Sequence, residues 1–269
     1  MEVSAKFGSG NNNLTLRELI DQTQQGIRKE PARMRHRISL FQLMCVTGNW
    51  ERALTQLNVL KDADEESSSM VKTYTEVIRC ENFRAQVFAG TKTPLFIGEP
   101  ADWIGKVIEA VRLNAQGHAQ HAADLRAAAF DLAPAVAGTL NDTPFDWIAD
   151  ADPRLGPVLE AIINGKYCWI PFDRLSAVEV EAPVDLRDLV WAAAKITFAS
   201  GGEQVAFIPS RYPGSEASEE DAIRLSRRTE WRDVGAETFL GLGQRIFATS
   251  ADETPLLDAR LIKLQTPVA

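Results

Sequence analysis

Apolar residues recur at spacings of three and four through the first half of the chain and closer to two through the second. That change of period divides the molecule. From Leu14 the pattern is helical. Pro31 suits the first turn of a helix carrying Met34, Ile38, Phe41 and Met44, which Gly48-Asn49 interrupts. A second helix from Trp50 keeps Ala53, Leu54, Leu57 and Leu60 on one face and ends near the acidic, Ser-rich run at 62–69. Gly117 and Ala122 repeat the five-residue spacing of Gly48 and Ala53, 69 residues further on, about two units of a roughly 34-residue helical repeat. A degenerate middle unit on Met70, Tyr74, Val77, Ile78, Val87 and Phe88 fills the gap, and Trp103, Val107, Ala110 and Val111 mark the next helix. Stacked pairs of this kind are usually binding modules, because one face is buried and the other is left for a peptide. An irregular helical bundle fits the same spacing.

The helical period fades after Pro134, and residues 145–172 form the junction. Pro153 and Pro157 frame a short helix at 158–163, closed by Asn164-Gly165. Strands follow around Tyr167 to Phe172 and at 177–180, with a hairpin of 193–198 and 205–208 joined through Ser200-Gly201-Gly202. Residues 185–190 form a helical turn and 219–228 a short polar helix. Further strands lie at 238–240 with 245–249 and at 260–264. The expected fold class is α+β: a tail over 1–13, a tetratricopeptide-like helical domain over 14–140, and a compact, mostly antiparallel α+β domain over 141–269. Trp147 and Trp169 are expected to pack across the boundary, so that Trp147→Ala would loosen the docking of the halves.

Charge sharpens this division. Residues 1–140 hold 16 basic and 16 acidic side chains and residues 141–269 hold 13 and 21, so the net charge of −8 belongs to the second half. An acidic chain of this kind has no general attraction for phosphate backbones, which argues against nucleic acid as a partner. The absence of a long apolar run argues against a membrane span, and the expected location is cytoplasmic. Cys45, Cys80 and Cys168 sit far apart in apolar surroundings and read as core thiols. The basic run of Arg28, Lys29, Arg33, Arg35 and Arg37 is a solvated helix edge or a docking patch for an acidic partner.

Candidate chemistry is sparse. Asp146, Asp150 and Asp152 could hold a hard cation and support a metal-assisted hydrolase, but the Ca²⁺-loop pattern is missing and Asp in a Pro-bounded loop commonly closes turns. His118 and His121 are three apart without a metalloprotease motif and read as a helix surface, and His36 lies among arginines. The stretch from Gly241 to Gln244 lacks the strand-then-helix context of a phosphate loop and reads as a turn. No P-loop and no G-x-S-x-G elbow occurs, so neither a cofactor nor a catalytic residue is assigned. The segment Ser210-Arg211-Tyr212-Pro213-Gly214-Ser215-Glu216 looks exposed. Its Arg211, Tyr212 and Glu216, with Arg33 and Arg37, are the candidate interaction residues; the structural alternative packs Tyr212 on the sheet and pairs Arg211 with a carboxylate.

Several stretches together resemble the ImpE family, the TagJ-type accessory proteins of bacterial type VI secretion. They are Phe41-Gln42-Leu43, Gly48-Asn49-Trp50-Glu51-Arg52-Ala53, Phe88-Ala89-Gly90 with Gly98-Glu99-Pro100, Phe145-Asp146-Trp147-Ile148-Ala149-Asp150, Gly156-Pro157-Val158-Leu159-Glu160-Ala161, Arg211 to Glu216, and Arg228-Thr229-Glu230-Trp231. The resemblance runs in order from Leu14 to Leu264 and leaves out the tail. It implies a non-enzymatic cytoplasmic adaptor without cofactor. The implied partners are the small subunit of the contractile sheath, bound through its N-terminal helix, and the ClpV-type ATPase that recycles contracted sheath.

Overall fold

The computed structural model describes residues 14–63, 68–98 and 101–265, so the expectation for the tail at 1–13 lies outside the described residues, as does part of the acidic run. Helix α1 (Leu16–Lys29) opens on a capping box in which Thr15 and Glu18 satisfy each other's backbone N–H groups. Helices α2 (Met34–Val46) and α3 (Trp50–Ala63) follow, then α4 (Ser68–Phe88), strand β1 (Leu95–Phe96), α5 (Asp102–Ala115) and α6 (Ala119–Phe130). The predicted repeat turns are both present. Gly48 and Gly117 take positive φ at the ends of α2 and α5, where a helix leaves through a left-handed residue. The middle unit is corrected: no glycine breaks residues 68–88, and they form one unbroken helix instead of a pair.

The second half builds β2 (Gly138–Leu140), β3 (Thr143–Phe145), β4 (Ile148–Asp150), β5 (Val158–Ile163), β6 (Lys166–Pro171), β7 (Leu175–Val180), β8 (Trp191–Phe198), β9 (Glu203–Pro209), β10 (Thr229–Asp233), β11 (Phe239–Gly243), β12 (Ile246–Thr249), β13 (Glu253–Pro255) and β14 (Leu261–Leu264). One sheet runs β1-β6-β5-β9-β8-β7-β14-β2-β3, a second β13-β12-β4, and β10 and β11 form a separate ribbon. Pairing is antiparallel except for β1 on β6, a strand lent by the helical half. The predicted 193–198 and 205–208 hairpin is β8 with β9, and the turn at 185–190 is a 3₁₀ segment with its own capping box.

Three local expectations are overturned. Residues 158–163 are strand β5, not a helix: all six are buried, and Asn164-Gly165, both at positive φ, make the tight turn of a hairpin with β6 instead of a helix cap. Residues 241–243 continue strand β11, and the strands read at 238–240 and 245–249 do not pair with each other; β11 pairs with β10, and β12 with β4 and β13. The polar helix at 219–228 shrinks to one turn, α7 (Asp221–Arg224), because Ser226 leaves at positive φ.

Helix α4 crosses one face of the large sheet. Tyr74 meets Trp191 and Phe207 of β8 and β9, while Phe83 meets Tyr167 and Phe88 meets Trp169 of β6. Trp50 of α3 reaches Trp191 as well. The repeat-like helices therefore spend an apolar face on their own sheet, a face that sequence reasoning had left open for a peptide. Residues 40–46 of α2 are all buried, Gln42 included, while Arg35 and Ser39 in the first half of the helix stay exposed.

Candidate functional site

Two features survive as candidates: a buried ionic joint and an open apolar groove beside it. The joint begins with a charge inside an apolar strand, Glu160 of β5, which is fully buried. Arg84 of α4 grips both its oxygens, Nε to Oε1 at 2.7 Å and Nη2 to Oε2 at 3.0 Å. The same guanidinium donates to Glu81 at 2.8 Å and to the Arg211 carbonyl at 2.9 Å. From the other side Arg245 pairs with Glu160 and donates to Asp150 at 2.8 Å, and the Tyr167 hydroxyl also donates to Glu160. Trp169 Nε1 donates to that hydroxyl at 2.6 Å, and Trp191 Nε1 to Glu81 at 2.8 Å. The Phe88 ring is flanked by the guanidinium groups of Arg84 and Arg154.

Burial alone would raise the Glu160 pKa, but Arg245 and Arg84 overcome it and hold the carboxyl down at about 2. For Asp150 burial wins over Arg245 and the value rises to about 7. A buried carboxyl with a raised pKa can mark a catalytic acid. Here Asp150 faces Arg245, Asp152 is clasped by Arg154 (2.9 Å from Nε) and by the Gly241 N–H (2.8 Å), and Asp146 lies exposed apart from both. Asp150 and Asp152 adjoin, the Asp152 N–H donating to Asp150 Oδ1 at 2.8 Å, but each is taken up by an arginine and Asp146 lies outside on the surface, so the three aspartates of the hydrolase reading do not form one site. Burial pushes Cys80 up to about 11 and Cys168 up to about 12, with Cys45 raised further in the same direction, so the thiols stay protonated.

The predicted interaction residues are scattered. Arg211 and Tyr212, read as presented on an exposed turn, are buried instead. Arg211 donates to the carbonyls of Val46 and Arg224 at 2.6 Å and of Cys45 at 3.3 Å, capping α2 with a cation, and forms no ion pair with a carboxylate among the described residues. The Tyr212 ring fills the space that a Cβ at Gly241 would need, which explains a glycine in mid-strand. Glu216 is half-buried over the Gly48 turn. Arg33 stays exposed in a 2.9 Å pair with Glu30, and Arg37 is half-buried and donates to the Gln56 side-chain Oε1 at 3.4 Å. His118 and His121 are exposed neighbours at the start of α6. Trp147 is 42% exposed in the β3–β4 loop, so it does not pack across the halves; Trp169 does, against Phe88 and Phe96.

The groove has a volume of about 480 Å³. One wall is a single stripe of α4, Glu76, Arg79, Cys80 and Phe83. The opposite wall is Thr93, Pro94 and Leu95 entering the edge strand β1, and its floor is Gly165, Lys166 and Tyr167. Leu95 is 49% exposed there. Sequence reasoning missed both features. An acidic residue inside the apolar run 158–163 was the available signal for the joint; the groove had none, since its floor at 165–167 lies about 70 residues further along the chain than its nearer wall at 93–95.

No helix among the described residues is long and apolar enough to cross a membrane. A family model described as ImpE protein matches residues 142–263. The chain is 49% identical over 237 residues to the type VI secretion system accessory component TagJ of Pseudomonas aeruginosa, a match spanning 88% of this chain and 83% of that protein. It also shares its fold with the crystal structure of protein VPA1032 from Vibrio parahaemolyticus, with a TM-score of 0.86 at 21% identity, covering 100% of this chain and 99% of the other.

Proposed function

Since this chain belongs to the ImpE family of type VI secretion accessory components, we propose that it is a non-enzymatic cytoplasmic adaptor. It seats the N-terminal helix of the small contractile-sheath subunit and links that subunit to the ClpV-type ATPase. The observation that carries the reading is the groove between α4 and β1. Phe83, Cys80 and Leu95 give the groove its apolar lining for the anchors of an amphipathic helix, with Arg79 and Lys166 beside them for acidic flanks. A few such anchors supply most of the affinity in a groove of this kind. The test is recovery of the purified sheath subunit on the immobilised full chain, with and without its N-terminal helix. Recovery is expected to require the helix, and equal recovery of the truncated subunit overturns the reading.

A further inference from the structure

Strand β10, Thr229-Glu230-Trp231-Arg232-Asp233, pairs with β11 on one side and with no strand on the other among the described residues. Both edges of the large sheet and the β13 edge of the three-stranded sheet are blunted in the usual ways. Strand β1 has two residues and follows Pro94, β3 has three and contains Pro144, and β13 has three and ends on Pro255. Strand β10 has five and no proline, and its residues 230–233 are all exposed. Its outward groups can be assigned. The Gln244 N–H donates to the Arg228 carbonyl and the Val234 N–H to the Thr238 carbonyl, so in this register the even-numbered residues bond β11. The N–H and C=O groups of Thr229, Trp231 and Asp233 therefore point to the open side.

We propose that this edge pairs with β10 of a second copy of the chain, antiparallel about a two-fold axis at Trp231. Such pairing sets Trp231 against Trp231 and Thr229 against Asp233, joining the two ribbons into one four-stranded sheet through the free groups of those residues. Charge order singles out a second copy as the occupant. An edge guarded against self-pairing sets like charges across the axis, whereas here Glu230 meets Arg232 twice, once on each side. Arg232 has no ion-pair partner within the chain among the described residues, while Glu230 shares only an exposed pair with Arg228. Trp231 and Phe239 lie on one face of the ribbon, Phe239 opposite Asp233, and are 39% and 49% exposed, so the pairing also covers aromatic surface. The surface shares no residue with the groove.

Sedimentation velocity of the full chain over a concentration series tests this. A monomer–dimer equilibrium is expected, with Arg232→Glu and Glu230→Arg each weakening it by about tenfold or more, because either change turns two attractive pairs into two repulsive ones. The double exchange of Glu230→Arg with Arg232→Glu restores it. On the unaltered chain, hydrogen exchange at the Trp231 amide should slow as concentration rises. A monomer at every concentration, a dimer indifferent to the single changes, a double variant without recovery, or concentration-independent exchange at Trp231 each overturns the proposal.

Discussion

Arg84 and Glu160, 76 residues apart in the chain, form a two-pronged ion pair in which both side chains are almost wholly buried. It pins helix α4 to strand β5, the third strand of the nine-stranded sheet. Burying these charges is unfavourable by itself, and the arrangement holds because every oxygen of Glu160 has a donor. Glu160→Gln leaves Arg84 and Arg245 short of their shared anion. It should lower unfolding free energy by about 3–5 kcal/mol in urea denaturation; a loss under ~1 kcal/mol would show that the joint is not the anchor described here.

The two carboxyls of the joint make opposite contributions to the pH dependence of stability. Glu160 is held at about 2 against an ordinary 4.5, so its stabilisation is present above that ordinary value and drains away as pH falls towards 2. Asp150, raised from 3.8 to about 7, keeps its proton in the fold; its contribution is complete below 3.8 and is lost as pH rises through 7. Asp150→Asn removes only the second effect. Denaturation at a series of pH values should show the parent losing stability relative to this variant between about 4 and 7, then running parallel to it; a constant difference across that window contradicts the assignment.

Arg211 caps α2 from the sheet side through the Cys45 and Val46 carbonyls. Lysine carries the charge but cannot fork across several carbonyls. Arg211→Lys should therefore cost roughly 2–3 kcal/mol, with hydrogen exchange faster at residues 43–48, and unaltered protection there would rule out the capping role.

The two tryptophans of the junction should separate sharply. Trp169→Ala removes a fully buried ring packed between Phe88 and Phe96 and should cost about 3–5 kcal/mol. Trp147→Ala, at a half-exposed loop position, should stay within about 0.5 kcal/mol. Thermal unfolding of both variants checks this, and similar losses would mean that Trp147 packs more tightly than its exposure indicates.

Leu95→Asp places a charge on the groove wall without touching the core. Affinity for the sheath helix should fall at least tenfold, about 1.4 kcal/mol, with thermal stability unchanged. Calorimetric titration with the helix peptide measures it, and unaltered affinity would move the binding surface elsewhere.

Sequence by itself determined the order of elements wherever local chemistry settles the matter. The glycine turns at Gly48 and Gly117 and the 193–208 hairpin depend on neighbours within a few residues, and the structure has them. Tertiary structure alone decided the rest. Residues 158–163 read as a short helix between turn residues, and burial on both faces made them a strand instead, because short apolar runs carry no period of their own. The three aspartates looked like one site because they are close along the chain, yet Asp146 stays exposed while Asp150 and Asp152 are buried and taken up by Arg245, by the Gly241 N–H and by nearby Arg154. Arg211 and Tyr212 looked like surface anchors because a Pro-Gly turn is usually exposed. They are interior because α2 closes over Arg211 and the ribbon at Trp231 and Gly241 closes over Tyr212, and burial depends on the whole chain, which no local pattern encodes.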